Sequence, residues 1–263
     1  MSETTVKAPG TFCWSEVCTA DLAAAKEFYG GLFGWTTKDN TAGPGIYSLL
    51  HLGNEQVGGM YELVEQQKEM GVPPHWLGYV LVEDVNEATE RAQSLGGTVV
   101  MGPMDVMEMG RMALLQDPTG AVFALWQALT HTGGGEITGH GSVCWHELVS
   151  TDRVEATAFY AALFGWELES GPGEMEYTLF MNDEKPTAGC MQRTEEMGPV
   201  PSHWLTYFNV DDTDASADKA SALGGRVVHP PTDIPGVGRF ALLADHAGAI
   251  FGVMKLSGPA EPA

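Results

Sequence analysis

Two tryptophan–glutamate pairs are the groups in this chain best suited to chemistry. Trp14 and Glu16 sit two residues apart in Cys-Trp-Ser-Glu, and Trp145 and Glu147 repeat the spacing in Cys-Trp-His-Glu. His75 and Tyr79 bracket Trp-Leu-Gly, His203 and Tyr207 bracket Trp-Leu-Thr, and Arg111 and Arg239 each follow a glycine just ahead of an Ala-Leu-Leu run. A carboxylate in an apolar wall gains basicity and can take a proton or a ligand hydrogen bond. Indole and phenol rings stack on planar molecules. Glu16 and Glu147 are therefore the candidate catalytic groups. The candidate ligand contacts are Trp14, Glu16, His75, Tyr79 and Arg111 in one half, and Trp145, Glu147, His203, Tyr207 and Arg239 in the other. Each has a plainer role open to it: tryptophans as core, glutamates in buried ion pairs with Arg111 and Arg239, histidines capping strands that follow Pro-rich loops.

Strands must aim these side chains, because alternation puts residues two apart on one face. Residues 12–18 alternate as a strand, Asp21 is the N-cap of a helix, Leu22, Ala25, Tyr29 and Leu32 share its inner face, and Gly34 ends it. Strands are expected at Ile46 to His51 and Gln56 to Leu63, around a Gly53-Asn54 turn. Gln66 to Pro74 is a polar connection. His75 to Val82 begins the pattern again: Asp84 caps a helix with Val85, Ala88, Ala92 and Leu95 inside, and strands follow at Thr98 to Met101, Arg111 to Gln116 and Ala121 to Gln127. The last two join through Asp117-Pro-Thr-Gly. The same order returns in the second half, with Phe-Tyr and Leu-Phe-Gly-Trp in both first helices, which means duplication. The expected fold is α+β, four tandem βαβββ units in two domains at 11–128 and 142–256. A Gly-rich linker at 129–141 joins them, and a loose tail occupies 257–263.

The 263 residues suffice for two cores, and 13 basic against 35 acidic residues give a formal charge of −22. Such a surface repels phosphate backbones and anionic headgroups, so neither nucleic acid nor membrane is an expected partner. No apolar run approaches a membrane span, and Met1 to Gly10 carries no signal-peptide core. Cys13, Cys18, Cys144 and Cys190 form no CxxC pair and sit in apolar strands, which fits buried thiols in a cytoplasmic protein. The chain is expected to be a monomer or homodimer.

Repeated βαβββ units, Phe-Tyr in the first helix, Leu-Phe-Gly after it and an Asp-Pro-x-Gly turn before the last strand resemble the vicinal oxygen chelate superfamily. This is the group of glyoxalases, bleomycin-resistance proteins and extradiol dioxygenases. The two-domain form is most similar to actinobacterial proteins of the 27 kDa antigen or hydroxylase-like type. The resemblance covers 11–128 and 142–256 and implies glyoxalase-like domains, each an open curved sheet cup with outer helices. It also implies a metal held by a first-strand His or Gln seven residues before the capping Asp and a last-strand Glu four after the turn glycine. Those positions hold Trp14, Leu77, Trp145 and Leu205, then Ala124 and Gly252. None can ligate zinc, iron or nickel, which need His, Cys or carboxylate. The expectation is no metal, no cofactor, and a small organic molecule in the cups. The alternative is a lyase or oxygenase that works by Glu/His acid–base chemistry or by shifted ligands: Glu16 with His75, or Glu147 with His146 and His203. In that reading His146 faces away if Trp145 faces in.

Overall fold

A computed structural model describes residues 7–41, 45–135, 137–172 and 176–257. The first half runs β1 (Phe12–Thr19), α1 (Leu22–Phe33), β2 (Thr36–Asn40), β3 (Tyr47–Leu52), β4 (Glu55–Glu62), α2 (Glu65–Glu69), β5 (His75–Leu81), α3 (Val85–Ser94), β6 (Thr98–Val106), β7 (Gly110–Gln116) and β8 (Val122–Ala128). The second half runs β9 (Val143–Ser150), α4 (Arg153–Phe164), β10 (Glu167–Ser170), β11 (Tyr177–Asn182), β12 (Lys185–Gln192), β13 (His203–Asn209), α5 (Thr213–Ala222), β14 (Arg226–Ile234), β15 (Gly238–Ala244) and β16 (Ile250–Leu256). Four βαβββ units are therefore present. They form two open, mixed, eight-stranded sheets ordered β2-β3-β4-β1-β5-β8-β7-β6 and β10-β11-β12-β9-β13-β16-β15-β14. The fold is α+β with two glyoxalase-like domains. Among the described residues no helix is long and apolar enough to cross a membrane. Most of the expected tail lies outside the described residues.

Helix ends follow the expected chemistry. Asp21 accepts from Ala24 N at 3.0 Å and Asp152 from Glu155 N at 3.0 Å. Gly34 and Gly165 close these two helices at φ +74° and +75°, a conformation that penalises any side chain. β2 had no apolar alternation to reveal it, because Thr36-Thr-Lys-Asp lies fully in solvent. The polar connection contains the short helix α2, none of whose residues is buried.

Packing divides the chain into two compact units. One takes the described residues of Met1–Trp14 with Leu77–Gly134 and Trp145–Leu205; the other takes Ser15–Trp76, Gly135–Cys144 and the described residues of Thr206–Ala263. In the second unit Tyr29 is wholly buried among Phe28, Trp35, Trp76 and Phe251. Its hydroxyl receives the Trp76 Nε1–H at 3.0 Å and donates to Asp245 Oδ2 at 3.1 Å. Asp245 Oδ1 meanwhile accepts the amides of Ala247, Gly248 and Ala249 at 2.8–2.9 Å, folding the last turn. The other unit brings the same residue types together, with Asp117 Oδ2 left without a hydrogen-bond partner. Trp204 Nε1 donates to Tyr160 Oη at 2.8 Å, with Asp117 beside that hydroxyl. Asp117 Oδ1 in turn accepts Thr119 N at 2.8 Å and Ala121 N at 3.0 Å. The Phe-Tyr dipeptides and the aspartate turns are thus two ends of one buried network.

Tyr29→Phe strands an indole donor and a carboxylate acceptor in this core. Urea unfolding should show a loss on the order of 3 kcal/mol; a loss under about 0.5 kcal/mol would mean the network contributes nothing.

Candidate functional site

On β9, alternation places Trp145 and Glu147 on one face and His146 and Leu148 on the other, where Leu148 joins the core. Glu147 pairs across the parallel ladder with Gly189 of β12. Tyr177, from β11, lies over that glycine. Its hydroxyl donates to Glu147 Oε1 at 3.0 Å and accepts from Trp145 Nε1 at 2.8 Å. A Cβ at position 189 would run into the Tyr177 ring and hydroxyl, so the missing side chain is what admits the phenol. Burial, and then the Glu147 charge, push the Tyr177 phenol far above its ordinary range, so it remains a donor.

The first half builds the same couple. Glu16 pairs with Gly59 of β4, Tyr47 Oη donates to Glu16 Oε2 at 2.7 Å, and a Cβ on Gly59 would collide with that hydroxyl. Tyr61 stacks on Tyr47 with ring centres 6.4 Å apart, and burial pushes the neighbouring Cys18 thiol up to about 11. Met191 and Val149 hold the positions of Tyr61 and Cys18 in the second half. Exposure separates the two copies. Trp14 and Glu16 are only 9% and 6% exposed, whereas Trp145 and Glu147 are part-exposed. Trp14 meets the edge of His131, centroids 4.8 Å apart. Tyr47, Tyr177, Gly59 and Gly189 are site residues that reading the chain alone did not single out; their retention in both copies was the available signal.

The remaining candidates have partners of their own. Tyr79 pairs with Ala124 and packs on Trp126 at 6.3 Å, and Tyr207 pairs with Gly252 and faces Phe240 at 6.4 Å. A Cβ on Gly252 would enter the Tyr207 ring. Small residues at 124 and 252 thus stand opposite tyrosines. His75 and His203 each donate from Nδ1 to a proline carbonyl two residues back, Pro73 and Pro201, at 2.8 Å, the strand-capping role. The expected Arg–Glu ion pairs give way to others. Arg111 pairs with Asp105 at 2.7 Å, and Arg239 with Asp214 at 2.7 Å and Asp233 at 3.0 Å. The physical reason is alternation. Arg111 shares its face with the core residues Ala113 and Leu115, and Arg239 with Ala241 and Leu243, so both arginines point to the helix-covered side. A surface depression of about 300 Å³ lies beside Arg239, Gly236 and Lys255, and one of about 370 Å³ beside Leu95, Pro118 and Phe159. Neither is lined by Trp145, Glu147 or Tyr177.

His146 does turn away from Trp145, but into packing rather than solvent. It stacks on Phe12 with ring centres 3.9 Å apart and an interplanar angle of 17°. Burial, and then the Lys7 charge, lower its pKa to about 3.

Residues 12–125 match the Glyoxalase/Bleomycin resistance protein/Dioxygenase superfamily and residues 144–254 match the Glyoxalase-like domain. CFP32 of Mycobacterium tuberculosis, which carries a glyoxylase name, is 41% identical over 94% of this chain and 95% of its own. The anthracycline biosynthesis protein DauV of Streptomyces sp. is 37% identical over 95% and 94%. The chain belongs to the glyoxalase/bleomycin resistance/dioxygenase superfamily. Among solved structures, the Mn(II)-bound glyoxalase from Novosphingobium aromaticivorans superposes with a TM-score of 0.66 at 13% identity, covering 94% of this chain and 82% of that one. The 2,3-dioxygenase LapB from Pseudomonas sp. KL28 gives 0.66 at 14%, covering 98% and 96%; at such identities the likeness is one of fold.

The superfamily's metal does not fit the residues here. Among the described residues no three His, Cys, Asp or Glu side chains stand together so as to hold an ion. The shifted set of Glu147, His146 and His203 loses a member, because His146 lies on the opposite face of β9, stacked in the core on Phe12.

Two measurements follow from this geometry. Gly189→Ala should destabilise by about 1–3 kcal/mol through overpacking. Tyr177→Ala should cost less in that background than in the native chain; strictly additive losses in a double-mutant cycle would contradict the glycine–tyrosine fit. For His146, the folded pKa lies below the unfolded one, so above pH 6.5 both states are neutral and stability is unaffected. Between pH 6.5 and 3 the unfolded chain alone takes the proton, lowering stability by up to about 1.4 kcal/mol per pH unit. His146→Gln should flatten the acid limb of the stability curve relative to native by that slope; parallel curves would show that His146 protonates freely in the fold.

Proposed function

We propose that this protein binds a small organic molecule without a metal, through the part-exposed face of Trp145, Tyr177 and Glu147. The observation that carries the reading is the replacement of cation donors by Trp145 and Gly252, and by Trp14 and Ala124 in the first half, while each glutamate is tied to a tyrosine. An indole and a phenol offer flat apolar surface, and the carboxylate orients a hydroxyl or N–H of the guest. The likeness to an anthracycline biosynthesis protein over nearly the full length supports a planar, hydroxylated aromatic guest. A second reading makes the same residues catalytic, Glu147 taking a proton with Tyr177 steadying its charge. The glyoxylase name of CFP32 favours it.

Isothermal titration with hydroxylated naphthalenes and anthraquinones, with and without EDTA, separates these readings. Binding should be indifferent to chelator, and Glu147→Gln should weaken it about tenfold, a change of about 1.4 kcal/mol. Silence across the panel, or affinity abolished by EDTA, would contradict the binding reading. Chelator-resistant turnover of methylglyoxal with a thiol, lost in Glu147→Gln, would favour the catalytic one.

A further inference from the structure

The connection between the two sheets is stitched down where a loose linker was expected. Leu129 N and His131 N both donate to Met109 O, at 3.0 and 3.1 Å, and Thr130 Oγ1 donates to Glu108 O at 2.7 Å. Trp126 Nε1 donates to His131 O at 2.9 Å, and Gly134 N to Cys13 O at 2.9 Å. Gly133 has φ +102°, and a Cβ there would run into the Cys13 carbonyl, so only glycine lets the backbone lie this close. The result sets the His131 ring edge-on against both Trp14, at 4.8 Å, and Trp126, at 6.0 Å. Burial lowers the His131 pKa, favouring the neutral ring. The chain leaves the last strand of the second sheet the same way, with Ser257 N donating to Val237 O at 2.9 Å. The sequence counterpart of His131 there is Pro259, outside the described residues. Trp145 is part-exposed where Trp14 is not.

We propose that residues 129–134 are a resident plug seated on Trp14, so that the chain takes one planar hydroxylated aromatic ligand, on the Trp145–Tyr177–Glu147 face. The duplicated sequence thus yields one open site and one that the chain closes with its own connecting segment. The ligand half of this proposal rests on the binding reading above; the plug does not.

Hydrogen exchange on the full chain tests the plug without any ligand. The amides of His131 and Gly134 should exchange at least a hundredfold more slowly than unstructured peptide, and exchange at the peptide rate would overturn the proposal. Equilibrium dialysis with 1,4-dihydroxyanthraquinone tests the stoichiometry. One equivalent should bind per chain, Trp145→Ala should weaken it at least tenfold with Trp145→Phe retaining most affinity, and His131→Ala should add a second equivalent. Two equivalents in the native chain, loss with Trp14→Ala in place of Trp145→Ala, or no second equivalent in His131→Ala would refute it. Slow exchange with no binding by any variant would sink the ligand reading and the one-ligand claim while leaving the plug in place.

Discussion

A tyrosine hydroxyl held between an indole N–H and a carboxylate sets what the exposed sheet face can do. Tyr177 takes the Trp145 proton and gives its own to Glu147, and the bare backbone of Gly189 is the space that allows it. With Oε1 so engaged and indole in place of imidazole, the face offers flat apolar area and one oriented anion. A hard cation needs several oxygen or nitrogen donors converging on one point, whereas flat apolar area with one carboxylate suits the organic guest we propose. The Glu16–Tyr47–Gly59 copy shows that the arrangement was kept through duplication, even where Glu16 is nearly inaccessible.

The buried Trp–Tyr–Asp networks explain why other repeated motifs persist. Tyr29 and Asp245 are far apart in the chain, yet the aspartate folds its own turn with one oxygen and receives the tyrosine with the other. Asp117 likewise folds its own turn with one oxygen and lies close enough to Tyr160 for its charge to act on that hydroxyl. A change at either end therefore leaves buried polar groups unmatched at the other, a loss larger than that of the single bond removed. Such networks make each compact unit depend on segments from both halves of the chain.

Much of this was legible in the order of residues. Aspartate caps, glycine stops and the twice-written Cys-Trp-x-Glu and His-Trp-Leu segments were enough to lay out four βαβββ units and the lack of donors at the superfamily's ligand positions. What stayed hidden has physical causes. β2 and β10 lie in solvent and have no apolar period to betray them. Arg111 and Arg239 were assigned to the wrong face because a strand's parity is known only once its core side is known, and their aspartate partners come from separate elements. Tyr177 reaches Glu147 across two strand pairings, information that lives in register and not in local sequence. His146 looked solvent-facing because Phe12, which covers it, is more than a hundred residues away in the chain.

The most direct test of metal independence is the metal content of the full chain purified without chelator, measured by inductively coupled plasma mass spectrometry. The account expects far less than one equivalent of any transition metal per chain, unchanged in Glu147→Ala. Stoichiometric manganese, iron, nickel or zinc that disappears with that substitution would contradict it.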